Sequence, residues 1–425
     1  MQPFDCDLHL HGKFAGGVSK ECTIPVLAEQ SRKKGLQLLV TADISHRDWL
    51  SHVKSELVEE SNGIFSDKEK KCQFIVGTEV EDNLRIHHLV YLPDLTRAAE
   101  FREKVKPFGT LDCSMCGRPK LRLTAEQIAQ IVHDIGGIIG PGHAFTPYSG
   151  IFAHHDSWKA AYGSQAEKIL FLELGLSADT AWADQMKQNH ELAFLSSSDA
   201  HSPWPHRLGR EWNRILLKQP SFSELKNALS ERTEPAIIMN AGLDPCEGKY
   251  HATGCNGCFK QFEIGFAEKL KWKCPFCKGE IKRGVKDRII QLTDTPVGKH
   301  PVHRGKYFHS LPLAEILQQV YQVENPLSKK VQSAWEDLVE RFGNEIRVLT
   351  DVSESELTEF NPQIAKYVLA FRNGWVHYEP GGGGQYGKPT VCLSQEEFER
   401  EKNQLKKSST TQNKFRGQKT IGEYR

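Results

Sequence analysis

Short apolar runs alternate with amphipathic stretches over about the first 235 residues of the chain. The apolar runs have the length of buried strands and are bounded by polar or turn residues. Six runs are predicted to be strands, at 36–43, 72–81, 87–94, 136–144, 169–175 and 192–201. The amphipathic stretches 23–35 and 124–137 predict helices. Thr124, followed three residues later by Gln127, has the pattern of a capping box at the start of the second helix.

The order of these elements predicts an α/β fold. Strands that alternate with helices indicate parallel strands joined by crossover helices, in an open sheet or a barrel. Nearly every predicted strand ends in His, Asp or Glu. Because a barrel gathers its strand ends at one face, this pattern favours a barrel over residues 1–240.

Three regions of different composition follow the predicted barrel. Residues 246–290 form a small cysteine-rich unit, and 300–395 have a helical pattern with the glycine-rich stretch EPGGGGQYGKP at 379–389. Residues 400–425 contain eight basic and two acidic residues and few apolar ones. That composition is typical of a mobile basic tail.

The overall charge and the cysteine content narrow the class of protein. The chain has 55 basic and 54 acidic residues, so a nucleic-acid-binding surface would have to come from local clusters. No apolar run reaches the length of a membrane span and the N-terminus lacks a signal-peptide pattern, so we expect a cytoplasmic protein without membrane contact. Four of the eleven cysteines lie in one cluster, which suits a metal site better than a disulfide framework.

Polar side chains at the predicted strand ends indicate a shared metal site. One such residue is ordinarily a capping or surface residue, but nine at successive strand ends are not easily explained in that way. The nine are His9, His11, Asp43, Glu79, His88, His143, Glu173, Asp199 and His201. Imidazole and carboxylate ligands together suit Zn, Mn or Fe, and a carboxylate such as Glu79 can bridge two ions. Clustered ions activate water and stabilise charge on a phosphoryl group, so the residues predict metal-assisted hydrolysis of a phosphoester.

Five ordered segments resemble the motifs of the PHP (polymerase and histidinol phosphatase) superfamily. They are DLHLH, TAD, GTEVE with HHLVYL, GPGHAFTP and SSDAH. The resemblance implies a distorted (β/α)7 barrel holding two or three divalent ions (Zn, Mn or Mg). It assigns His9 and His11 to the H-x-H pair and Glu79 to the bridging carboxylate. His88 and His143 would hold a second ion, and Asp199 and His201 would close the site. Asp199, Glu79 and His201 are the predicted catalytic residues.

Three points of this site stay open. Many members of the superfamily have an acidic ligand after the first motif, where this chain has GKFAGG, so a third ion needs Asp43 or His46 instead. Strand alternation lets only one of His87 and His88 point inward, and the motif favours His88. Glu173 is either a ligand or a residue that supports the ligands or the substrate.

The cysteine cluster predicts a structural zinc ribbon. Cys255 and Cys258 are separated by two residues, as are Cys274 and Cys277, with fifteen residues between the pairs. This is the spacing of a closed four-thiolate zinc site. Residues 260–288 contain nine basic and four acidic residues with interleaved Phe and Trp, which either form the core of the ribbon or contact nucleic acid. Cys113 and Cys116 lack a second pair nearby and are predicted to be incidental thiols, with a further metal site as the alternative.

Two further segments have alternative interpretations. The glycine-rich stretch is either a flexible linker or a loop whose amides approach a phosphate, and it lacks the Lys-Ser/Thr end of an ATP-binding loop. Gln418, Ile421 and Tyr424 have the spacing of a sliding-clamp-binding peptide, a kind of segment that folds on binding.

The order of PHP domain, ribbon, helices and glycine-rich stretch resembles the endonuclease Q family over essentially the full length. The resemblance implies a cytoplasmic, nucleoid-associated prokaryotic repair enzyme acting on double- and single-stranded DNA. It would hydrolyse the phosphodiester 5′ to uracil, hypoxanthine, xanthine or an abasic site, after the lesion is flipped out of the duplex. The alternative is a PHP-type phosphatase of a small phosphomonoester, which leaves the ribbon and tail unexplained. A non-catalytic DNA- or clamp-binding module is disfavoured by the near-complete ligand set.

Overall fold

The computed structural model describes residues 1–61 and 63–403. The strands are β1 (Gln2–Asp7), β2 (Leu38–Val40), β3 (Leu57–Ser61), β4 (Ile64–Asp67), β5 (Gln73–Ile75), β6 (Gly77–Glu81), β7 (His87–Tyr91), β8 (Ile138–Pro141), β9 (Phe171–Glu173), β10 (Ala193–Leu195), β11 (Trp212–Leu217), β12 (Ile237–Gly242), β13 (Gly254–Cys255), β14 (Ile281–Lys282), β15 (Lys306–His309), β16 (Val376–Glu379) and β17 (Lys388–Val391).

Fifteen α-helices are distributed among these strands in the described part of the chain. They are α1 (Ile24–Lys34), α2 (Arg47–Glu56), α3 (Leu95–Val105), α4 (Ala125–Asp134), α5 (Ile151–His154), α6 (Trp158–Tyr162), α7 (Thr180–Ala183), α8 (Phe222–Ser230), α9 (Ile264–Lys269), α10 (Val285–Leu292), α11 (Leu313–Val320), α12 (Lys329–Phe342), α13 (Glu345–Thr350), α14 (Glu354–Phe360) and α15 (Pro362–Arg372). None of these helices is both long enough and apolar enough to span a bilayer.

The strands of the α/β part run in mixed directions. The largest sheet has the order β15-β12-β11-β1-β2-β5-β4-β3. Within it β1, β2 and β5 are parallel, whereas β11 is antiparallel to β1 and to β12. A second sheet, β6-β7-β8, is antiparallel, and β9 and β10 form a parallel pair. The expectation of parallel strands throughout is therefore wrong, because the short connection between β6 and β7 makes a hairpin and leaves no room for a crossover helix.

Both helices predicted in the α/β part are present. The Thr124 side chain accepts a hydrogen bond from the amide of Gln127, and the Gln127 side chain accepts one from the amide of Thr124, so the capping box at the start of α4 is confirmed. Helix α1 ends at Gly35, whose φ of 97° is the left-handed conformation that terminates many helices.

Three hydrophobic cores organise the molecule. The first fills the α/β part and includes Val285 and Ile289 of α10, the helix at the end of the cysteine-rich unit. The second lies among α11–α15, and the third is a small cluster inside the cysteine-rich unit. The first and second parts are joined by a buried ion pair between Lys34 of α1 and Glu345 of α13, with 2.6 Å between Nζ and Oε1.

The glycine-rich stretch packs against the backbone of the cysteine-rich unit. Four of its amides donate to backbone carbonyls, namely Gly381 to Cys246, Gly382 to Gln385, Gly384 to Lys249 and Gly387 to Glu247. A Cβ atom at Gly383 would lie 2.4 Å from the carbonyl oxygen of Cys255. The prediction of a flexible linker is wrong for this stretch, because backbone hydrogen bonds hold it in place. The predicted contact with a phosphate stays a prediction. The glycines of the stretch permit two backbones to approach closely.

Candidate metal centre

The H-x-H pair follows directly after β1. His9 and His11 lie in an extended segment that is tied to the segment after β10 by a bridge between Leu10 and Ala200. The Nε2 atoms of His9 and His11 lie 3.7 and 3.3 Å from Oδ1 of Asp199. These three residues form the first candidate metal group, called group 1 below.

The facing atoms of group 1 are free to bind a metal ion. Nε2 of His9, Nε2 of His11 and Oδ1 of Asp199 are buried, and none has a hydrogen-bond partner among the described residues. Buried polar atoms are ordinarily bonded, so three that converge on one point fit a divalent cation. The geometry agrees with the predicted role of all three residues.

Glu79 of β6, His87 of β7 and His143 after β8 form the second candidate group, group 2. Oε1 of Glu79 lies 2.9 Å from Nδ1 of His87 and 3.2 Å from Nε2 of His143. The other oxygen, Oε2, lies 3.3 Å from Nε2 of His11 in group 1. Glu79 therefore stands between the two groups, where a bridging carboxylate is expected.

The prediction that His88, and not His87, is the inward-facing ligand is wrong. His88 is fully buried on the other face of β7, where it bonds the hydroxyl of Tyr162 and the carboxylate of Asp82 at 2.7 and 3.3 Å. The register explains this, because Glu81 lies opposite His87 in the β6–β7 pair, and directly opposed residues share a face. Glu79 lies two residues before Glu81 and hence on the same face. The hairpin register, and not the residue type, thus places His87 on the face of Glu79.

Asp43 and Glu173, both predicted as ligands, lie behind the histidines of group 1. Oδ1 of Asp43 contacts Nδ1 of His11 at 3.0 Å, and Oε2 of Glu173 contacts Nδ1 of His9 at 2.9 Å. Neither belongs to a group of converging ligand atoms in the described chain. A carboxylate on the far nitrogen of a histidine fixes its ring and makes it a better ligand. The ligand role predicted for Asp43 is therefore corrected to an orienting one, and for Glu173 the supporting alternative fits.

Backbone amides complete this supporting layer. Oδ2 of Asp43 accepts a hydrogen bond from the amide of Gly12 at 2.7 Å, and Oε2 of Glu173 accepts one from the amide of His143 at 2.7 Å. Glu81 lies behind His87 as Asp43 lies behind His11, with its Oε2 3.3 Å from Nε2 of His87. Three of the candidate ligands thus have a carboxylate behind them.

His201 lies beside group 1 and outside it. Its ring centroid is 4.8 Å from that of His11, and its Nδ1 bonds the carbonyl of Asp199 at 2.9 Å. His46 bonds the carbonyl of Cys113 through Nε2 at 3.0 Å. Because Asp43 and His46 are both engaged elsewhere, the α/β part that the structure describes has two groups of converging ligand atoms.

The charges of the site favour ionised carboxylates. Burial raises the pKa of Glu79, but His87, Arg118 and His9 outweigh burial and place that pKa well below its ordinary value. The pKa of Asp199 is lowered in the same way, since His9, His11 and His201 outweigh its burial. Both side chains are therefore anionic at neutral pH, as metal ligands must be.

Both groups open into a cleft of about 660 Å³ with basic walls. Its basic lining residues are Arg85, Arg118, Lys120, Arg207, Arg210 and Lys249. Tyr386 of the glycine-rich stretch also lines the cleft, with the charges of Arg207 and Lys249 each 5.8 Å from its ring centroid. Positive walls around a carboxylate-rich floor suit a polyanion that must reach bound cations. No motif in the sequence marked these basic residues.

Ser177, Ser197 and Arg210 also line the cleft. Oγ of Ser197 and Nη1 of Arg210 are buried and lack a hydrogen-bond partner within the described ranges. Both atoms belong to groups that can donate a hydrogen bond, and both side chains line the cleft.

The four cysteines of the predicted ribbon converge as a third metal group, formed by Cys255, Cys258, Cys274 and Cys277. The amides of Gly257 and Gly279 point at the sulfur atoms of Cys255 and Cys277. The aromatic residues of the ribbon differ in burial, and contact of the exposed ones with nucleic acid stays a prediction. Phe262 is buried in the ribbon core, whereas Phe259, Phe266 and Phe276 have 45, 45 and 60 % of their surface exposed.

Cys113 and Cys116 form a disulfide. The prediction of incidental thiols is therefore wrong, and so is the alternative of a further metal site, because neither sulfur is a thiolate. The disulfide closes the loop just before Arg118.

Comparison with known proteins shows relatives along the whole chain. Residues 312–375 match the MJ0043 C-terminal domain family. The chain is 40% identical to the protein MJ0043 of Methanocaldococcus jannaschii over 61% of its own length and 33% of that protein, so it spans about a third of that relative. It is 30% identical to YqxK of Bacillus subtilis over 91% of its length and 99% of that protein.

Similarity to a solved structure decides the family. The lesion-specific endonuclease PfuEndoQ from Pyrococcus furiosus is 42% identical and superposes with a TM-score of 0.84, over 92% of this chain and 96% of that one. This chain belongs to the endonuclease Q family. A second endonuclease Q structure, with a TM-score of 0.86 and 42% identity, is a complex with a 27-mer duplex bearing an abasic lesion at the active site; the match covers 92% of this chain and 97% of that chain. Membership in the endonuclease Q family confirms the predicted enzyme class, an endonuclease.

Proposed function

We propose that this chain nicks DNA beside deaminated bases and abasic sites with the help of divalent ions bound at the floor of the basic cleft. The observation that carries the proposal is the pair of ligand groups on either side of Glu79, of which Asp199, His87 and His143 line that cleft. The abasic duplex bound by an endonuclease Q relative supports the substrate class. The bond hydrolysed is the phosphodiester 5′ to uracil, hypoxanthine, xanthine or an abasic site.

Groups 1 and 2 are the residues that would hold the ions. His9, His11 and Asp199 would hold one, and His87 and His143 the other, with Glu79 shared. Zn, Mn or Mg ions supply a water of lowered pKa and neutralise charge on the phosphate. The motifs of the α/β part support a PHP-type distorted (β/α)7 barrel over 1–240, with the ribbon at 246–290 and the helical region at 300–395.

The reaction balances as a simple hydrolysis. The oxygen of a water molecule bonds to phosphorus, and the bond between phosphorus and the 3′ oxygen breaks. The electron pair leaves with the 3′ oxygen, which takes up a proton. The products are a 3′-hydroxyl on the preceding nucleotide and a 5′-phosphate on the lesion nucleotide.

The donors of Ser197 and Arg210 suit recognition of a flipped base. Deamination replaces an exocyclic amine, which donates, by a carbonyl, which accepts. The guanidinium of Arg210 has donors only. It can therefore donate to the carbonyl of a deaminated base, whereas the amine of a normal base finds no acceptor on it. Ser197 lines the same cleft with its hydroxyl unbonded in the described structure.

A lesion-containing duplex tests the proposal. A labelled duplex with one deoxyuridine or deoxyinosine is incubated with the protein and Mn²⁺, Mg²⁺ or Zn²⁺, and a single nick 5′ to the lesion is expected. Asp199→Ala removes a ligand of group 1 and should abolish nicking, whereas Asp134→Asn, an exposed carboxylate of α4, should nick as the wild type does. Absence of a lesion-dependent nick, together with turnover of a small phosphomonoester, would support the phosphatase alternative instead.

The sliding-clamp peptide is a separate proposal. Gln418, Ile421 and Tyr424 lie outside the described residues. Truncation after residue 410 should abolish co-elution with a sliding clamp, and unchanged co-elution would remove the proposal. The predicted association with the nucleoid depends on the same DNA and clamp contacts.

A further inference from the structure

Arg118 is the only arginine or lysine that pairs with a candidate ligand carboxylate within the described residues. Its Nη1 lies 3.2 Å from Oε2 of Glu79, the oxygen that also faces His11. The neighbouring cations of the cleft pair farther out, since Arg85 and Lys120 both approach Glu81 at 3.9 and 3.8 Å. Arg118 therefore brings a fixed positive charge to the carboxylate shared by the two groups.

The backbone on both sides of Arg118 is anchored. The amide of Gly117 donates to the carbonyl of Phe14 at 3.0 Å, and the amide of Glu81 donates to the carbonyl of Pro119 at 2.9 Å. The first bond ties the loop to the segment that follows the H-x-H pair, and the second ties it to β6. Arg118 thus enters the site from the side where GKFAGG offers no acidic side chain.

The guanidinium has donors that Glu79 does not use. The side chain is 28% exposed and lines the cleft. Its Nε is buried and has no hydrogen-bond partner in the described part of the chain. An arginine carries five N–H donors in a planar fork that matches two oxygens of a phosphate.

We propose that Arg118 is a catalytic residue that donates to a non-bridging oxygen of the scissile phosphate. The inference rests on the proposed function, because it concerns the same phosphodiester. Negative charge on the non-bridging oxygens grows as the water oxygen bonds to phosphorus and the 3′ oxygen leaves. Arg118 stays cationic throughout and interacts more strongly with this transition state than with the bound substrate. Such an interaction raises kcat and leaves KM nearly unchanged.

Kinetics of Arg118→Ala test the proposal. With a duplex that contains one deoxyuridine, kcat should fall by about 10²–10³-fold, the loss typical for one transition-state donor. The dissociation constant for the same DNA should change much less, and the metal content measured by mass spectrometry should equal that of the wild type. Arg118→Lys keeps the charge without the fork and should recover part of the rate. Added guanidinium ion should partly rescue Arg118→Ala, whereas an equal concentration of NaCl should not.

Arg122→Ala is the matched control. Arg122 lies on the same segment but is exposed, and its guanidinium donates to the carbonyl of Pro107 at 3.0 Å. Wild-type kcat is expected for this variant. An unchanged kcat in Arg118→Ala would overturn the proposal, and so would a loss of rate that follows a loss of bound metal or of DNA affinity.

A second substrate separates this inference from the proposed function. Bis(p-nitrophenyl) phosphate is a diester without a lesion, so its hydrolysis tests the chemistry alone. If the wild type cleaves this diester but no lesion duplex, the proposed DNA specificity fails while the Arg118 comparison still decides the inference. If the wild type cleaves neither, both proposals fail together.

Discussion

His87 and His88 are neighbours in the chain with identical side chains and opposite surroundings. His87 faces Glu79 and His143 in group 2. His88 bonds Tyr162 and Asp82 and is completely buried. Burial and hydrogen bonding thus explain His88 as a structural residue, and the converging nitrogen atoms mark His87 as a ligand.

Alanine variants of this pair should separate the two roles. His87→Ala should lower the metal content and reduce nicking by more than the roughly 10–100-fold that loss of an outer partner costs. His88→Ala should retain metal but lower the free energy of unfolding by about 1–3 kcal/mol, because two buried polar groups lose their partner. Mass spectrometry of bound metal and urea unfolding measure the two effects. The opposite pattern would restore His88 as the ligand.

The site residues differ in how far the sequence could predict them. His9, His11, Glu79 and Asp199 lie in short motifs that resemble those of a known superfamily, and the structure places all four in or between the candidate metal groups. Asp43 and Glu173 have the right chemistry at the right strand ends, and only the structure shows that each contacts the far nitrogen of a histidine. Arg118 follows a loop whose path depends on contacts with Phe14 and Glu81, which are distant in sequence.

At the scale of elements, the glycine-rich stretch shows how close packing depends on missing side chains. Gly383 has φ of 64°, and a Cβ there would meet the carbonyl oxygen of Cys255 at 2.4 Å. Gly374 has a similar φ of 73°, but nothing lies within 4 Å of the position of a Cβ. The two positions share the same backbone conformation and differ in available space.

Alanine at these two glycines should therefore have unequal effects. Gly374→Ala should lower the free energy of unfolding by about 1–2 kcal/mol, the cost of a left-handed conformation. Gly383→Ala should lower it further and also reduce nicking, since the stretch that carries Tyr386 must move away from the ribbon. Thermal unfolding and the nicking assay provide the measurements. Equal stability of the two variants would show that the backbone at Gly383 and Cys255 can separate at little cost in free energy.

The elements were predictable where pattern alone determines them. Helices α1 and α4 carry amphipathic periodicity and a cap, and they were predicted to within a few residues. The β3–β4 hairpin was not predicted, because its strands are short and partly polar. The pairing of β1 with β11 joins residues about two hundred positions apart, and no local signal encodes that register.

At the scale of the whole molecule, one buried ion pair joins the α/β part to the helical region. Glu345 accepts from Lys34 at 2.6 Å and from the indole of Trp335 at 2.6 Å, and both ionic side chains are at most 2% exposed. Lys33 and Glu336 form a second pair, 3.3 Å long, between the same two regions, but Glu336 is 61% exposed.

Removing one partner of each pair should show the effect of burial. Glu345→Leu leaves Lys34 buried without its counter-ion and should lower the free energy of unfolding by about 3–5 kcal/mol. Glu336→Ala should change it by less than about 1 kcal/mol. The double variant Lys34→Met with Glu345→Leu should recover most of the loss. Urea unfolding of the four proteins is the measurement, and similar effects at the two glutamates would contradict it.

The position of Tyr386 in the chain has a consequence for synthesis on the ribosome. Every side chain of groups 1 and 2 precedes residue 200. Two other residues that line the cleft, Lys249 and Tyr386, come later in the chain. At about 5–20 residues per second, the synthesis of Tyr386 follows that of Asp199 by roughly 10–40 s. A nascent chain thus carries the ligands of both groups before Lys249 and Tyr386 have been added, so the cleft around the ligands is completed only late in synthesis.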